Sequence, residues 1–257
     1  MIRTVLDHVA VATRTLRDGW ELFGGVLGGS WAAGGNDAGF WWGQLKFRAG
    51  AKIEMLTPTG GPDAAFLERF LAARGPGPHH LNFSVSDIGA ALSRIRALGI
   101  EPVGVSLDSP TWKEAFIHPR DAHGIVIQVA QQSGPPPRPT APSDLPPPGP
   151  ATDFELAELH ADDISGAIRL YTEALGGDVV SHGANGAEQV ADLGWPNGTR
   201  IRLVGGSASL GADAGRPASD GLARLRFARQ NSAFSPRELS LTATLSHRLG
   251  VTLVLDD

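Results

Sequence analysis

The sequence predicts an α+β protein built from repeated βαβββ units, with one pair of units in the N-terminal half and a second, degenerate and shortened copy after it. Three observations predict this fold class. Histidines open two strands of alternating polarity, at His8 and at His80. A helix and further strands follow each histidine strand in the same order. A proline-rich segment then precedes a third unit with that order, and such internal repetition is a stronger guide to fold than local propensity.

The two histidine strands arrange their side chains in the same way. His8 is followed at alternate positions by alanines, and His80 by Asn82 and Ser84, with large apolar residues in between. Because successive side chains of a strand point to opposite faces, each histidine shares its face with small or polar residues. Two such strands, one from each unit, can point two imidazoles into one cavity.

The spacing within the two units also agrees. His8 and His80 are 72 residues apart, and Glu54 and Gln128 are 74 residues apart. In each unit a histidine therefore opens the first strand, and a carboxylate or an amide follows in the last strand. Each of these residues alone would be interpreted as a surface residue. Because a histidine and a polar residue recur at matched positions of two units, we predict a shared metal site.

Periodicity and chain breakers give the elements of the N-terminal half. Apolar residues at helical spacing predict helices over 15–27, 63–74 and 88–98, the last with Asp87 as its N-cap. Strands are predicted over 4–13, 39–48, 52–58, 80–86, 103–107, 113–118 and 125–130.

The second half repeats the pattern less completely. Helices are predicted over 164–175 and 236–249, and strands over 154–159, 179–181, 188–193, 200–204, 222–228 and 251–255. Matching Gly176-Gly177 to Gly28-Gly29 places Leu156 where the first unit has His8. We therefore predict no metal site in this half, and its role as a cover for the first domain or as a homodimer contact is left open.

These patterns define the predicted domain boundaries. Residues 1–132 form the domain with the metal site, and residues 154–257 form the degenerate domain. The connecting segment 133–153 is rich in proline, which favours a semi-rigid, extended linker over a helix or a central strand.

Composition excludes several classes of function. The 257 residues are 42% hydrophobic, which suits a soluble globular protein, and the net charge of −5 argues against nucleic acid or an anionic membrane as partner. There is no cysteine, so disulfides, thiolate metal sites and a cysteine nucleophile are excluded. With no secretory signal and no apolar run of membrane-spanning length, we expect a cytoplasmic protein.

Four short segments carry a resemblance to a known family. They are DHVAV at 7–11, KIEML at 52–56, GPHHL at 77–81, and FIHP followed by GIVIQ within 116–128. Such repeated units resemble the vicinal oxygen chelate superfamily, which includes glyoxalase I, methylmalonyl-CoA epimerase, extradiol dioxygenases and bleomycin-resistance proteins. Residues 1–132 are most similar to the epimerase-like members, and 154–257 resemble the family in outline.

The resemblance implies that paired units curl into a vicinal-oxygen-chelate cup around one divalent ion, with Zn, Ni, Co, Mn or Fe as suitable metals. Carried over by position, the ligands are His8, Glu54, His80 and Gln128. The chain departs from the family here. The last ligand is usually glutamate, and the epimerases tend to have their amide where Glu54 stands, so acid and amide are exchanged.

The activity that the resemblance implies is that of a metal-dependent isomerase or lyase, which polarises vicinal oxygens of a small 2-oxo or acyl substrate. Glu54 would then be the catalytic base, because it is the acid at a matched position. The residues expected to contact the substrate are Trp42, Gln44, Lys46 and Asn82.

Other interpretations remain open from sequence. A glyoxalase-type lyase acting on a thiol adduct and a non-catalytic binding protein of the bleomycin-resistance kind both fit the cup. An extradiol dioxygenase is less favoured, because its glutamate lies on the last ligand strand, where this chain has Gln128. His79 is expected to be a bystander facing away from His80, and Trp112 to Glu114 to be a lid or a loop.

Overall fold

The computed structural model describes residues 2–37, 39–134, 140–186, 188–205, 221–229 and 233–256. Among the residues outside these ranges are 135–139 of the predicted linker and 206–220, most of a stretch rich in glycine, alanine and serine. The described chain forms two mixed sheets with helices, which confirms the predicted α+β class.

The N-terminal half repeats the order strand, helix, strands. Its helices are α1 (Leu16–Gly19, continued by a π-helical segment Trp20–Val26), α2 (Ala65–Arg74) and α3 (Ile88–Ala97), with 3-10 turns at Pro62–Ala64 and Pro119–Asp121. Its strands are β1 (Thr4–Ala12), β2 (Ser30–Asp37), β3 (Phe40–Lys46), β4 (Lys52–Pro58), β5 (Gly77–Val85), β6 (Val103–Ser106), β7 (Trp112–Ile117) and β8 (Val126–Gln132).

The C-terminal half has the same order. Its helices are α4 (Ile164–Arg169, continued by a π-helical segment Leu170–Ala174) and α5 (Pro236–Leu249). Its strands are β9 (Asp153–His160), β10 (Asp178–Asn185), β11 (Glu188–Gly194), β12 (Arg200–Gly205), β13 (Gly221–Ala228) and β14 (Leu253–Asp256). Across the described ranges, no helix combines the length and the apolar character needed to cross a bilayer.

One strand was not predicted from the sequence. β2 pairs antiparallel with β3 although it contains Ala32, Ala33, Gly34 and Gly35, which are poor strand formers. The register shifts between Trp31 and Ala33. Pairing along the edge of β3 therefore fixes this strand where local propensity does not.

The described chain divides into two compact units that do not follow its two halves. The histidine unit comprises His8–His80, Pro135–Glu155 and Arg224–Asp257. The amide unit comprises Met1–Asp7, Leu81–Gly134 and Leu156–Ala223. Each unit thus joins one repeat of the N-terminal half to one of the C-terminal half. The domain boundaries predicted from the repeats stay a prediction.

The histidine unit has the strand order β2–β3–β4–β1, in which β4 and β1 are parallel and the other neighbours antiparallel. Its helix α1 packs against α5. Phe227 on β13 joins the two repeats, because its ring centroid lies 5.0 Å from that of Phe47, 5.1 Å from Phe154 and 6.4 Å from Phe23. All four phenylalanine side chains are buried.

The amide unit contains the order β10–β11–β12–β9, again with one parallel pair, β12 and β9. The same pattern of directions in both halves confirms the repeat at the level of topology. In the core of this unit the ring of Phe83 lies 6.1 Å from that of Tyr171 and 5.3 Å from that of Trp195.

A row of polar side chains crosses these strands in the amide unit. Asp192 and Glu158 are the cross-strand neighbours of Arg202 on its two sides. The Arg202 guanidinium donates to both Asp192 carboxylate oxygens, at 2.7 and 3.0 Å. Arg202 stands 26 residues after Gly176, as Glu54 stands 26 residues after Gly28. In the second copy a guanidinium therefore takes the sequence position of the first copy's carboxylate.

The linker packs on the end of α1 within the histidine unit. The Gly149 amide donates to the Gly24 carbonyl at 3.1 Å. Gly28 has a φ of +71°, and a Cβ added there would lie 2.3 Å from the Pro150 carbonyl oxygen. Only glycine combines this backbone conformation with so close an approach.

We expect Gly28→Ala to destabilise the protein more than Gly60→Ala. Both positions have positive φ, but a Cβ at Gly60 would meet nothing within 4 Å. The control therefore measures the conformational cost alone, about 1–2 kcal/mol, while Gly28→Ala adds the contact with the linker. Urea unfolding of the two variants checks this, and equal losses would show that the linker contact contributes nothing.

Candidate metal centre

His8 and Glu54 meet on one face of two parallel strands. Glu54 on β4 is opposite Ala10 on β1, and His8 precedes Ala10 by two residues, so their side chains share that face. His8 is 3% exposed and Glu54 is 7% exposed. The His8 Nε2 atom lies 3.4 Å from Glu54 Oε2.

His80 supplies a third donor atom. It lies on β5, is 7% exposed, and places its Nε2 atom 3.9 Å from the same Glu54 oxygen. The two imidazole rings are 5.6 Å apart between centroids and meet at 69°. One ligand atom from each of the three side chains lies within 4.8 Å of the others. The structure thus brings together three of the four predicted ligands in a buried cluster.

Gln44 connects two of these side chains. It stands opposite Glu54 in the β3–β4 pair. Its Nε2 atom donates to Glu54 Oε1 at 2.9 Å and lies 3.3 Å from His8 Nδ1. The structure places Gln44 between His8 and Glu54, and the predicted contact of Gln44 with a substrate stays a prediction.

The Glu54 carboxyl group is strongly stabilised as an anion. Burial alone would raise its pKa. The charge of His8 and its hydrogen bond, the charge of His80 and the Gln44 hydrogen bond outweigh burial and lower the pKa of Glu54 to about 2. Glu54 therefore carries a full negative charge at neutral pH.

The role of His79 as a bystander stays a prediction, but its side chain is in direct contact with His80 and does not face away from it. Its Nδ1 atom lies 2.9 Å from His80 Nδ1. Burial lowers the pKa of His79, the charge of Glu54 raises it, and the charge of Arg74 lowers it, which together bring the pKa to about 4. The imidazole of His79 is therefore neutral at pH 7.

Gln128, the fourth predicted ligand, belongs to a polar network in the amide unit. Asn82 Nδ2 donates to Gln128 Oε1 at 2.7 Å, and Gln128 Nε2 donates to Glu114 Oε2 at 2.7 Å. Trp112 Nε1 donates to the same Glu114 oxygen at 2.9 Å. Trp112 and Glu114 lie on strand β7, which corrects the expectation of a lid or loop. Gln128 as a ligand and Asn82 as a substrate contact stay predictions.

Sequence reasoning did not connect Glu114 with Gln128. The pairing of β7 with β8 would have indicated this contact. Phe116 is opposite Gln128, and Glu114 lies two residues from Phe116 on the same face. Of the other predicted substrate contacts, Trp42 packs against the cluster of Leu56, Leu67 and Leu71, and Lys46 is exposed. Their contact with a substrate stays a prediction.

The cluster in the histidine unit fits a divalent ion. Ligand bonds of about 2.1 Å, at angles of about 90° to 110°, place two donor atoms about 3.0–3.4 Å apart. The observed separations of 3.4 and 3.9 Å between the histidine nitrogens and Glu54 Oε2 are close to this range. Two imidazoles, which are neutral once they bind an ion, and one carboxylate are ligands that suit Zn, Ni, Co, Mn or Fe, and they leave a divalent ion with net positive charge.

Comparisons with known proteins cover the segment that holds this centre. The family model of the Glyoxalase/Bleomycin resistance protein/Dioxygenase superfamily matches residues 7–116. An ethylmalonyl-CoA/methylmalonyl-CoA epimerase of Cereibacter sphaeroides is 34% identical over 85 residues, which are 31% of this chain and 61% of that protein. The mitochondrial methylmalonyl-CoA epimerase of Dictyostelium discoideum is 28% identical over 138 residues, or 49% of this chain and 78% of that protein.

A solved structure resembles nearly all of the chain. A mutant of 4-hydroxymandelate synthase from Streptomyces coelicolor superposes with a TM-score of 0.63 at 14% identity, over 96% of this chain and 76% of that one. At this identity the likeness concerns the fold alone. The family match is more specific, because residues 7–116 include His8, Glu54 and His80. Residues 7–116, which are less than half of the chain, are therefore similar to the Glyoxalase/Bleomycin resistance protein/Dioxygenase superfamily.

Proposed function

We propose that this protein is a metal-dependent isomerase or lyase that moves a proton next to a carbonyl group in a small 2-oxo or acyl substrate. The observation that carries the proposal is the convergence of His8, Glu54 and His80 in one buried cluster. The named epimerase relatives support this class of reaction, and acyl-CoA esters are the substrates we propose to test first.

The three side chains would hold the ion. When bound, a divalent ion supplies a positive charge that binds vicinal oxygens and makes the neighbouring C–H more acidic. His8 and His80 would each present a ring nitrogen towards it, and Glu54 would present a carboxylate oxygen. Gln44 keeps the other Glu54 oxygen in place through its hydrogen bond. The protein's part is thus to fix the donors where water has little access.

The structure favours Glu54 as a ligand over Glu54 as the base. A general base works best when its pKa lies near the pH of the reaction. The pKa of Glu54 is about 2, and Oε1 already accepts a hydrogen bond from Gln44. A carboxylate of this kind accepts a proton poorly but binds a cation well. The role of Glu54 as base stays a prediction.

A second candidate function is oxygenation with ferrous iron. The donor set that favours it is two histidines and one carboxylate, which is the set used by many non-haem iron oxygenases. Oxygen consumption by the Fe(II)-loaded protein with catechols or 2-oxo acids would support this candidate. Proton exchange without oxygen consumption would support the isomerase or lyase.

We expect the untagged wild-type protein to bind near one equivalent of a divalent ion. His80→Ala should lose this binding, since it removes one of the three donors. His182→Ala is the matched control, because His182 is exposed on β10 and its loss should leave binding unchanged. Elemental analysis after incubation with Zn, Ni, Co, Mn and Fe measures the stoichiometry. Wild-type protein that binds none of these ions would exclude the metalloenzyme and favour a ligand-binding protein.

We also expect metal-dependent exchange of the substrate's α-proton. Methylmalonyl-CoA or ethylmalonyl-CoA incubated in D2O with the metal-loaded protein should gain one deuterium, detected by mass spectrometry. Chelator treatment and Glu54→Ala should each abolish the gain, because the first removes the ion and the second removes one of its three donors. Exchange that persists in chelator-treated protein would contradict metal-dependent catalysis.

A further inference from the structure

The side chains of His79 and His80 touch each other although the two residues are neighbours in one strand. We propose that His79 is a positioning residue, which accepts the Nδ1 proton of His80 and so leaves the His80 Nε2 lone pair directed at the metal centre. This inference rests on the proposed metal centre and assigns a residue that supports it.

The distance between the two rings defines the interaction. At 2.9 Å the two Nδ1 atoms form a hydrogen bond in which one nitrogen donates and the other accepts. If His80 donates, its single ring proton is on Nδ1, and its Nε2 atom, 3.9 Å from Glu54 Oε2, has a lone pair for an ion. If His79 donates, the His80 proton is on Nε2, and that nitrogen cannot be a ligand.

Aromatic contacts from α2 fix the ring of His79. Its centroid lies 4.9 Å from that of Phe70 at 65° and 5.6 Å from that of Phe66 at 64°. The same helix is anchored by Leu67 and Leu71, which are buried with Ala10 and Leu56 of the sheet. His79 is thus held by a packed helix and not by a loop, which gives its Nδ1 atom a defined position.

The hydrogen bonds that a metal-binding side chain makes to its neighbours affect how tightly it binds the ion. A metal-bound histidine almost always donates its other ring N–H to a neighbouring acceptor, which fixes both the tautomer and the orientation of the ring. His79 Nδ1 is in the position to accept the Nδ1 proton of His80 in this way. Loss of such a partner typically weakens metal affinity by about 10- to 100-fold.

The first test compares the metal affinities of two substitutions at the same position. His79→Phe removes the acceptor and suits the aromatic contacts of Phe66 and Phe70, so the fold should be kept. His79→Asn places an oxygen near the position of Nδ1 and restores the acceptor. Competition with a chromogenic chelator for Zn2+ should show His79→Phe weakened by about 10- to 100-fold and His79→Asn close to wild type. The exposed residue His182, changed to Asn, is the control.

The second test reads the tautomer of His80 in the metal-free protein. Long-range 1H–15N correlation spectra should show the His80 proton on Nδ1 in the wild type and in His79→Asn, and a shift towards Nε2 in His79→Phe. Equal zinc affinities of wild type and His79→Phe, or an equal loss in His79→Asn and His79→Phe, would overturn the inference. So would a wild-type His80 protonated on Nε2. A wild type that binds no metal would instead overturn the proposed function, while the spectra would still decide the role of His79.

Discussion

The burial of the Glu54 charge is the constraint on which the centre depends. An ionised carboxylate with so little exposure is costly unless hydrogen bonds and opposite charge compensate it. Here the compensation comes from Gln44 on β3, His8 on β1 and His80 on β5. A slip of one residue in any of these strands would turn its side chain to the other face. The centre therefore forms only in this register of the strands, and the buried Glu54 charge is compensated only when the centre is formed.

The same stabilisation separates two roles that one carboxylate could have. The groups that keep Glu54 ionised also lower its affinity for a proton, so binding a cation and accepting a substrate proton compete. Gln128 is not an acid, and its amide is engaged by Asn82 and Glu114 in the amide unit. The amide at Gln128 therefore offers no second carboxylate to accept a proton.

The repeat made most of the fold predictable. It located His8, Glu54 and His80 before any pairing was known, because equal spacing in two copies reports equal positions in the sheet. It could not reveal β2, whose residues have little strand propensity and are ordered by pairing with β3. It also could not reveal His79. Strand alternation describes where Cβ atoms point, whereas Nδ1 is close to the main chain and can meet the ring of an adjacent residue.

The polar row around Arg202 shows what a copy of this unit does without a carboxylate at the matching position. Arg202 is paired with Asp192 across the strands and has Glu158 as its other cross-strand neighbour. A guanidinium keeps its charge at any ordinary pH and is covalently part of the chain. With the proposed metal centre, the first copy would depend on an ion that the surroundings must supply and a chelator can remove. The second carries its own cation, so scarcity of metal would affect the two copies of this chain unequally.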